Sequence, residues 1–368
     1  MNDKYKIIDS RLNEDFKLKT FSGFQKKDVI AALFKSIDQG KIEAACHWCT
    51  ECIVSGYTLK IWDRLIIYAC KIVHINNPVL PIYLYKKNMI IFNQLNRLEC
   101  KNKDYLILRN SQMIRNLLCD LITTIITSEK KKRYDKLFKI KDSDMNIKSK
   151  LQANIHILPS SILRFDDPEE LKIIINEFYF HLKNQISGYD KAIYWILWLL
   201  EWERRHKKNK ENWFISERKV NIKADKDKCD FIWIIWETIF VELSNRDNNM
   251  LKNTIKVLYS LYINNYTGSK RNTRIFLVYC AIGHLTNNLD YTKPVRLNQT
   301  IFIQTQANIN KMYEIVKRSE KNNVKKPVEK VKKNNKNNKG QNKSDEKIEI
   351  EKMNDRLSGF NELNNFII

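Results

Sequence analysis

Glycine and proline are scarce in this 368-residue chain, with 8 of the first and 6 of the second, where average usage would give roughly 26 and 18. The tight turns of sheet folds need Gly, Pro or Asn-Gly at regular intervals. A chain this poor in them is built of long elements with few tight turns, and the expected fold class is all-α. The same scarcity excludes phosphate-cradling loops. Neither Gly-x4-Gly-Lys-Ser/Thr nor Gly-x-Gly-x-x-Gly occurs, so nucleotide hydrolysis by this chain alone is not expected.

Catalytic patterns are missing too. There is no Gly-x-Ser-x-Gly elbow and no His-Glu-x-x-His, and the six histidines (47, 74, 156, 181, 206, 284) are far apart. The acid pairs Asp166/Asp167 and Glu169/Glu170 read as helix-start chemistry, with Asp as cap, Pro168 in the first helical position and acids near the positive end of the dipole. A non-enzymatic protein with no cofactor is expected. Long apolar runs are also absent: the longest, Ala192 to Leu200, has nine residues against the ~20 that cross a bilayer. The N-terminus, MNDKYKIIDSRLNEDF, is charged throughout and lacks the apolar stretch of a signal peptide. An intracellular protein is expected, in the nucleus or at a cytoplasmic viral replication site. Its eight cysteines then read as buried fillers in a reducing compartment.

What the chain has in excess is positive charge. Lys and Arg number 65 against 42 acids, a net charge of +23. An excess of this size points to a polyanionic partner. The abundance of Lys, Asn and Ile gives a second source for it, the A/T-rich codons of a genome such as that of a large DNA virus. With 43% apolar residues real cores can form, and the length suits two domains.

Apolar residues recur at helical spacing over 28–37, 41–54, 59–73, 82–99 and 105–127, and again over 168–186, 189–208, 229–244, 249–264, 271–287 and 296–319. The expected organisation is a polar lead-in (1–24), a helical domain (25–128), a charged hinge (129–150) and a second helical domain (151–316). A Lys/Asn-rich linker (317–348) and a C-terminal peptide (349–368) follow. The stretch 209–228 reads as a short strand pair or a loop. Residues 317–343 hold eleven bases and two acids, +9, and 344–368 carry −3, which leaves +17 on the rest. The linker has too little apolar surface to offset its ordering entropy and is expected to be disordered.

Several motifs carry two readings. Cys46, His47, Cys49 and Cys52 are close enough to suggest a metal site, but 46, 49 and 52 drift round a helix and no second ligand pair stands at a suitable distance, which favours core cysteines. Trp195, Trp198 and Trp202, with Trp233 and Trp236, are either a stacking platform for bases or an aromatic core stripe, and the Ile and Leu among them favour the core. Lys130, Lys131, Lys132 and Arg133 form one basic cluster, and Arg204, Arg205, Lys207 and Lys208 another. Each either complements a helix C-terminus or contacts phosphates. The C-terminal Phe360, Leu363, Phe366 and Ile367 read as a tethered peptide for a partner's groove, similar to those that dock on sliding clamps, or as a short helix that packs on its own domain. Glu43 to Trp48 and Asp190 to Trp195 share the pattern acid-x-Ala-x-aromatic-Trp, either one helical module repeated or a coincidence of six residues.

In 28–81 the order is Ala32-Leu33-Phe34-Lys35-Ser36, Gly40, Ala44-Ala45-Cys46-His47-Trp48, Ser55-Gly56, Arg64-Leu65-Ile66 and Asn77-Pro78. This resembles the C-terminal helical, collar-like domain of the MgsA/RarA (Werner-helicase-interacting protein) type of clamp-loader-like replication ATPases. The match covers about 55 of the 368 residues and consists of packing residues. The family's ATPase module has no counterpart in the 24 residues before it, so the resemblance implies an oligomerising helical fold without the motor. It also implies a place near replication or repair machinery. The expected function is a non-enzymatic, nucleic-acid-associated accessory factor of DNA replication, repair or transcription. It would bind DNA, rather than RNA, through basic helical faces and a protein partner through the C-terminal peptide. The alternative is a structural or scaffolding protein of a virion or assembly.

Overall fold

The structure is a computed structural model, and it describes residues 3–99, 104–130, 138–211, 213, 215–296, 298–321, 350 and 352–353. Among these there are eleven α-helices and no strand, and the one β-type pairing is an isolated bridge from Lys19 to Gln25. The fold class is all-α. The helices are α1 (Lys26–Asp38), α2 (Ile42–Val54), α3 (Thr58–Tyr68), α4 (Leu80–Arg97), α5 (Gln112–Thr127), α6 (Glu170–Lys183), α7 (Gly188–Lys208), α8 (Ile232–Ser244), α9 (Asn249–Ile263), α10 (Arg271–Leu285) and α11 (Gln299–Lys317). None is long and apolar enough to cross a membrane.

Two of the few glycines stop helices. After α1, Gly40 takes φ +74°, its N–H bonds to the Ile37 carbonyl, and the Lys41 N–H reaches back to Ser36. After α2, Gly56 at φ +77° does the same with Ile53, and Tyr57 reaches Cys52. Both are helix ends in which a left-handed residue lets the last carbonyls find donors, a conformation that costs glycine least. Starts are capped by Ser111 on α5, Asn248 on α9 and Asn298 on α11, whose side chains each accept a backbone N–H of the first turn.

The chain forms two compact units that are not consecutive in sequence: 1–65 with 87–128 and 296–368, and 66–86 with 129–295. In the first, α1 and α2 make an antiparallel hairpin, and α11 packs on α2 and α5. The apolar side of α11 explains this. Phe302, Ile309, Met312, Tyr313 and Val316 are buried, and each such side chain contributes about 1.5–3 kcal/mol when removed from water. The second helical domain therefore does not run on to 316, because α11 completes the first core.

The polar lead-in is likewise part of that core. Ile7, Phe16 and Phe21 are buried. Asn110 exchanges two 2.9 Å hydrogen bonds with the backbone of Ile7, and the ammonium of Lys317 donates to the Lys6 carbonyl at 2.6 Å. Arg11 stacks over the rings of Phe16 and Phe21.

In the second unit α6 and α7 form a hairpin, α8 lies on α6, and α9 pairs with α10. A π-helical turn, Ala69–Val73, packs on α10. The stretch 209–228 is loop, without strands among its described residues. Two backbone bonds, Ile215 to Cys229 and Arg218 to Lys228, hold it. The Asp166–Glu170 start differs from the sequence reading. The helix begins at Glu170, and Asp167 does not cap it. Its carboxylate instead accepts the N–H of Arg164 and of Ser216 and pairs with buried Arg218, tying the 209–228 loop to the helix entrance. The two copies of the acid-x-Ala-x-aromatic-Trp pattern each open the second helix of a hairpin. In both, the Ala and the Trp three residues on are buried (Ala45 and Trp48, Ala192 and Trp195) because that spacing puts them on one face.

Candidate nucleic-acid interface

Helix α7, 21 residues long, separates its residues by side. Ala192, Trp195, Trp198, Leu199 and Trp202 are buried. Lys191, Arg204, Lys207 and Lys208 are exposed, and Glu201 and Arg205 lie at its margin. The indole N–H of Trp198 donates to the Asp144 carbonyl at 3.0 Å. That bond fixes the short 3-10 turn Asp142–Met145 against α7, so the preceding residues run beside its C-terminal half. The result is a groove of about 1040 Å³. Its apolar floor comes from Phe138, Ile140, Leu197 and Leu200, and Lys139, Lys141, Arg204, Arg205, Lys207 and Arg271 face Asp142, Glu201 and Glu203 on its walls.

The charges fall into two layers. In the deep one, Arg271 grips Glu203 with both terminal nitrogens, at 3.0 and 2.5 Å, and reaches Asp230 at 2.8 Å. Burial raises the Asp230 carboxyl above its ordinary range, with Arg271 acting against it. Burial also pushes Glu203 upward, but the hydrogen bonds and charge of Arg271 and Lys207 bring it below its ordinary value. In the outer layer, Arg204 makes 2.6 and 2.7 Å bonds to Glu201, and Arg205 pairs with Glu201 at 3.0 Å and with Asp142. Hydrogen bonds from Arg204, then from Arg205, hold the Glu201 carboxyl down to about 2. Lys207 reaches Glu203 at 3.0 Å. Lys139, Lys141 and Lys208 are exposed and form no ion pair among the described residues.

Of the two basic clusters read from sequence, the second thus lines this groove through Arg204, Arg205 and Lys207, with Lys208 exposed at the end of α7. Of the first, Lys130 is half-buried, and Lys131, Lys132 and Arg133 lie outside the described residues. So do Phe360, Leu363, Phe366 and Ile367 of the C-terminal peptide. Near it in sequence, Ile350 is buried and Met353 packs against the cluster of Ala44 and Met312. Sequence reasoning missed Phe138, Lys139 and Lys141. The signal present was the alternation of apolar residues with lysine from 136 to 141 (KLFKIK), inside a segment read as hinge.

The tryptophans are core. Trp198 and Trp202 stack at 6.1 Å, Trp202 meets Trp213 edge-on at 4.7 Å, and Trp195, Trp233 and Trp236 are each 1% exposed. Their faces are not open to bases. Cys46, Cys49 and Cys52 are buried thiols, and no group of His, Cys, Asp and Glu suited to a metal occurs among the described residues. Cys46 lies 3.3 Å from Cys119, and that hydrogen bond together with burial raises its thiol well above the ordinary range, while burial does the same for Cys49.

His47 in the first unit and His284 in the second are buried neutral, with burial lowering them to about 4 and about 3. Both lie below the unfolded value of about 6.5. The unfolded chain therefore takes up their protons first, and the stability they contribute above pH 6.5 is lost as pH falls toward the folded values. From pH 6.5 to 5 each should remove up to about 2 kcal/mol. Urea titrations at several pH values check this. His47→Gln and His284→Gln should each flatten the slope by about one proton, and an unchanged slope would remove these residues as its origin.

Compared with family models, characterised proteins and solved structures, the chain has no significant match.

Proposed function

We propose that this protein binds nucleic acid through the groove beside α7, as a non-enzymatic accessory factor of DNA replication, repair or transcription. The observation that carries the reading is the groove wall, six bases against three acids over an apolar floor. The outer pairs do not block it. Asp142 is exposed, and an ion pair at an exposed acid is worth about 0–1 kcal/mol, so a phosphate can replace it on Arg205 at small cost. Such contacts position a protein without reading base sequence. Lys131, Lys132 and Arg133 precede Phe138 by five to seven residues in the sequence. The +17 carried by 1–316 and the resemblance of 28–81 to the collar-like replication domain agree with this reading. Phe360, Leu363, Phe366 and Ile367 would recruit a replication or transcription protein.

The test is fluorescence anisotropy of the full chain with labelled DNA and RNA across a salt series. Five phosphate contacts should give a log–log slope of about −4. Affinity that does not fall between about 50 and 200 mM salt would refute phosphate contact. A second reading, a scaffolding or assembly protein, has its own observation: Arg204, Arg205 and Lys207 already have acidic partners. It predicts self-association and negligible affinity for DNA at physiological salt.

A further inference from the structure

Phe138 has an exposure of 55%, in contrast to the buried tryptophans of α7. It lines the basic groove, and it also lines a second depression of about 210 Å³ together with Lys150, Lys191 and Tyr194. One ring therefore borders both hollows, the smaller of which holds two lysines and Asp190, and α7 runs along both. From Lys191 to Lys207 the helix advances about 24 Å. The smaller hollow offers a hydrogen-bonding group as well: the exposed Lys191 ammonium, which donates to the Gln152 side chain at 2.9 Å and has further N–H donors. Lys150 stands 6.0 Å from the Tyr194 ring.

We propose that this trough takes single-stranded nucleic acid, with one base stacked on Phe138 and the neighbouring phosphates held by Lys139, Lys141, Arg204 and Arg205. The inference rests on the nucleic-acid reading of the groove and adds the form of the ligand to it. In a duplex the base faces are covered by their neighbours, and a ring at the surface reaches one only after the base is flipped out. In a single strand every base has a free face, and an exposed ring between cationic walls is the combination that holds it without regard to sequence. The smaller hollow shares Phe138 with the groove, so a base stacked on that ring has the Lys191 ammonium within the same depression. Whether the strand is DNA or RNA depends on contacts to the sugar, and the two are separated below.

The experiment compares the full chain with Phe138→Ala and Phe138→Trp, using labelled oligo-dT, oligo-U and a DNA duplex. Stacking of one base predicts that Phe138→Ala weakens single-strand binding about 5- to 150-fold. It also predicts that Phe138→Trp retains the affinity, that duplex binding is unchanged, and that the salt slope stays the same. The ratio of oligo-dT to oligo-U affinity tells which strand the trough prefers. Equal losses for single strand and duplex, or no loss in Phe138→Ala, would overturn the stacking role and leave the nucleic-acid reading in place. An unmodified chain that binds none of the three would overturn both.

Discussion

Replacing Lys139, Lys141, Arg204 and Arg205 together by glutamine is expected to weaken nucleic-acid binding about 10³-fold at 0.1 M salt and to reduce the salt slope by about 3 to 4. Each phosphate that goes unneutralised takes about 0.7 to 0.9 off the slope, and the weaker affinity at a given salt follows from it. The change in sign of the groove deepens the effect. With these four gone, Lys207 and Arg271 remain against Asp142, Glu201 and Glu203. Glu201, no longer held by Arg204 and Arg205, returns toward the ordinary carboxylate range and stays ionised at pH 7. The converse variant, Asp142→Asn with Glu201→Gln, frees the two arginines and should strengthen binding. Glu201 lies at the margin of α7 and Asp142 is exposed, so neither set is expected to disturb the core. Salt titrations of both variants decide the matter: equal slopes in all three proteins would place the phosphate contacts elsewhere.

Arg271→Ala is expected to destabilise the second unit by about 3–5 kcal/mol. Arg271 is 8% exposed and is shared by Glu203 and Asp230. Its removal leaves Glu203 with Lys207 alone and Asp230 without its cation in a setting where burial already raises that carboxyl, and an uncompensated buried charge costs more than the pair it replaces ever contributed. Arg271→Lys should fall between, since an ammonium cannot reproduce the two-pronged grip on Glu203. In the alanine variant the Asp230 carboxyl rises further above its unfolded value. Protonating it relieves the cost, and the deficit relative to the unmodified protein should be smaller at pH 5 than at pH 7.5. Urea denaturation at both values measures it, and a pH-independent loss below 1 kcal/mol would mean that water compensates these acids.

The periodicity of the apolar residues placed most helices within a few positions, because a helix that buries one side must repeat its apolar residues near every 3.6. Gly40 and Gly56 were legible as breaks for the same local reason: only a residue at ease with positive φ ends a helix in that way. Reading by segment misled where a side chain answers to a distant partner. Asp167 has the sequence of a cap, yet it serves Arg218, 51 residues on. Residues 1–24 look polar by composition, but three well-spaced apolar side chains, Ile7, Phe16 and Phe21, suffice to bind them to the first core.

Composition and spacing, by themselves, determined that this protein is helical, that it carries a large positive charge, and which residues make its two basic clusters. These are local or additive properties. Tertiary structure alone decided that α11 completes the first unit and that Phe138, from a charged stretch, lies exposed beside α7, while the inward turn of the α7 tryptophans was already favoured by the Ile and Leu among them. It also decided that Arg204, Arg205 and Lys207 share a groove with Lys139 and Lys141. A helix has several sides with nearly equal claims to burial. Long-range packing chooses among them, and that choice sets which cations line the groove.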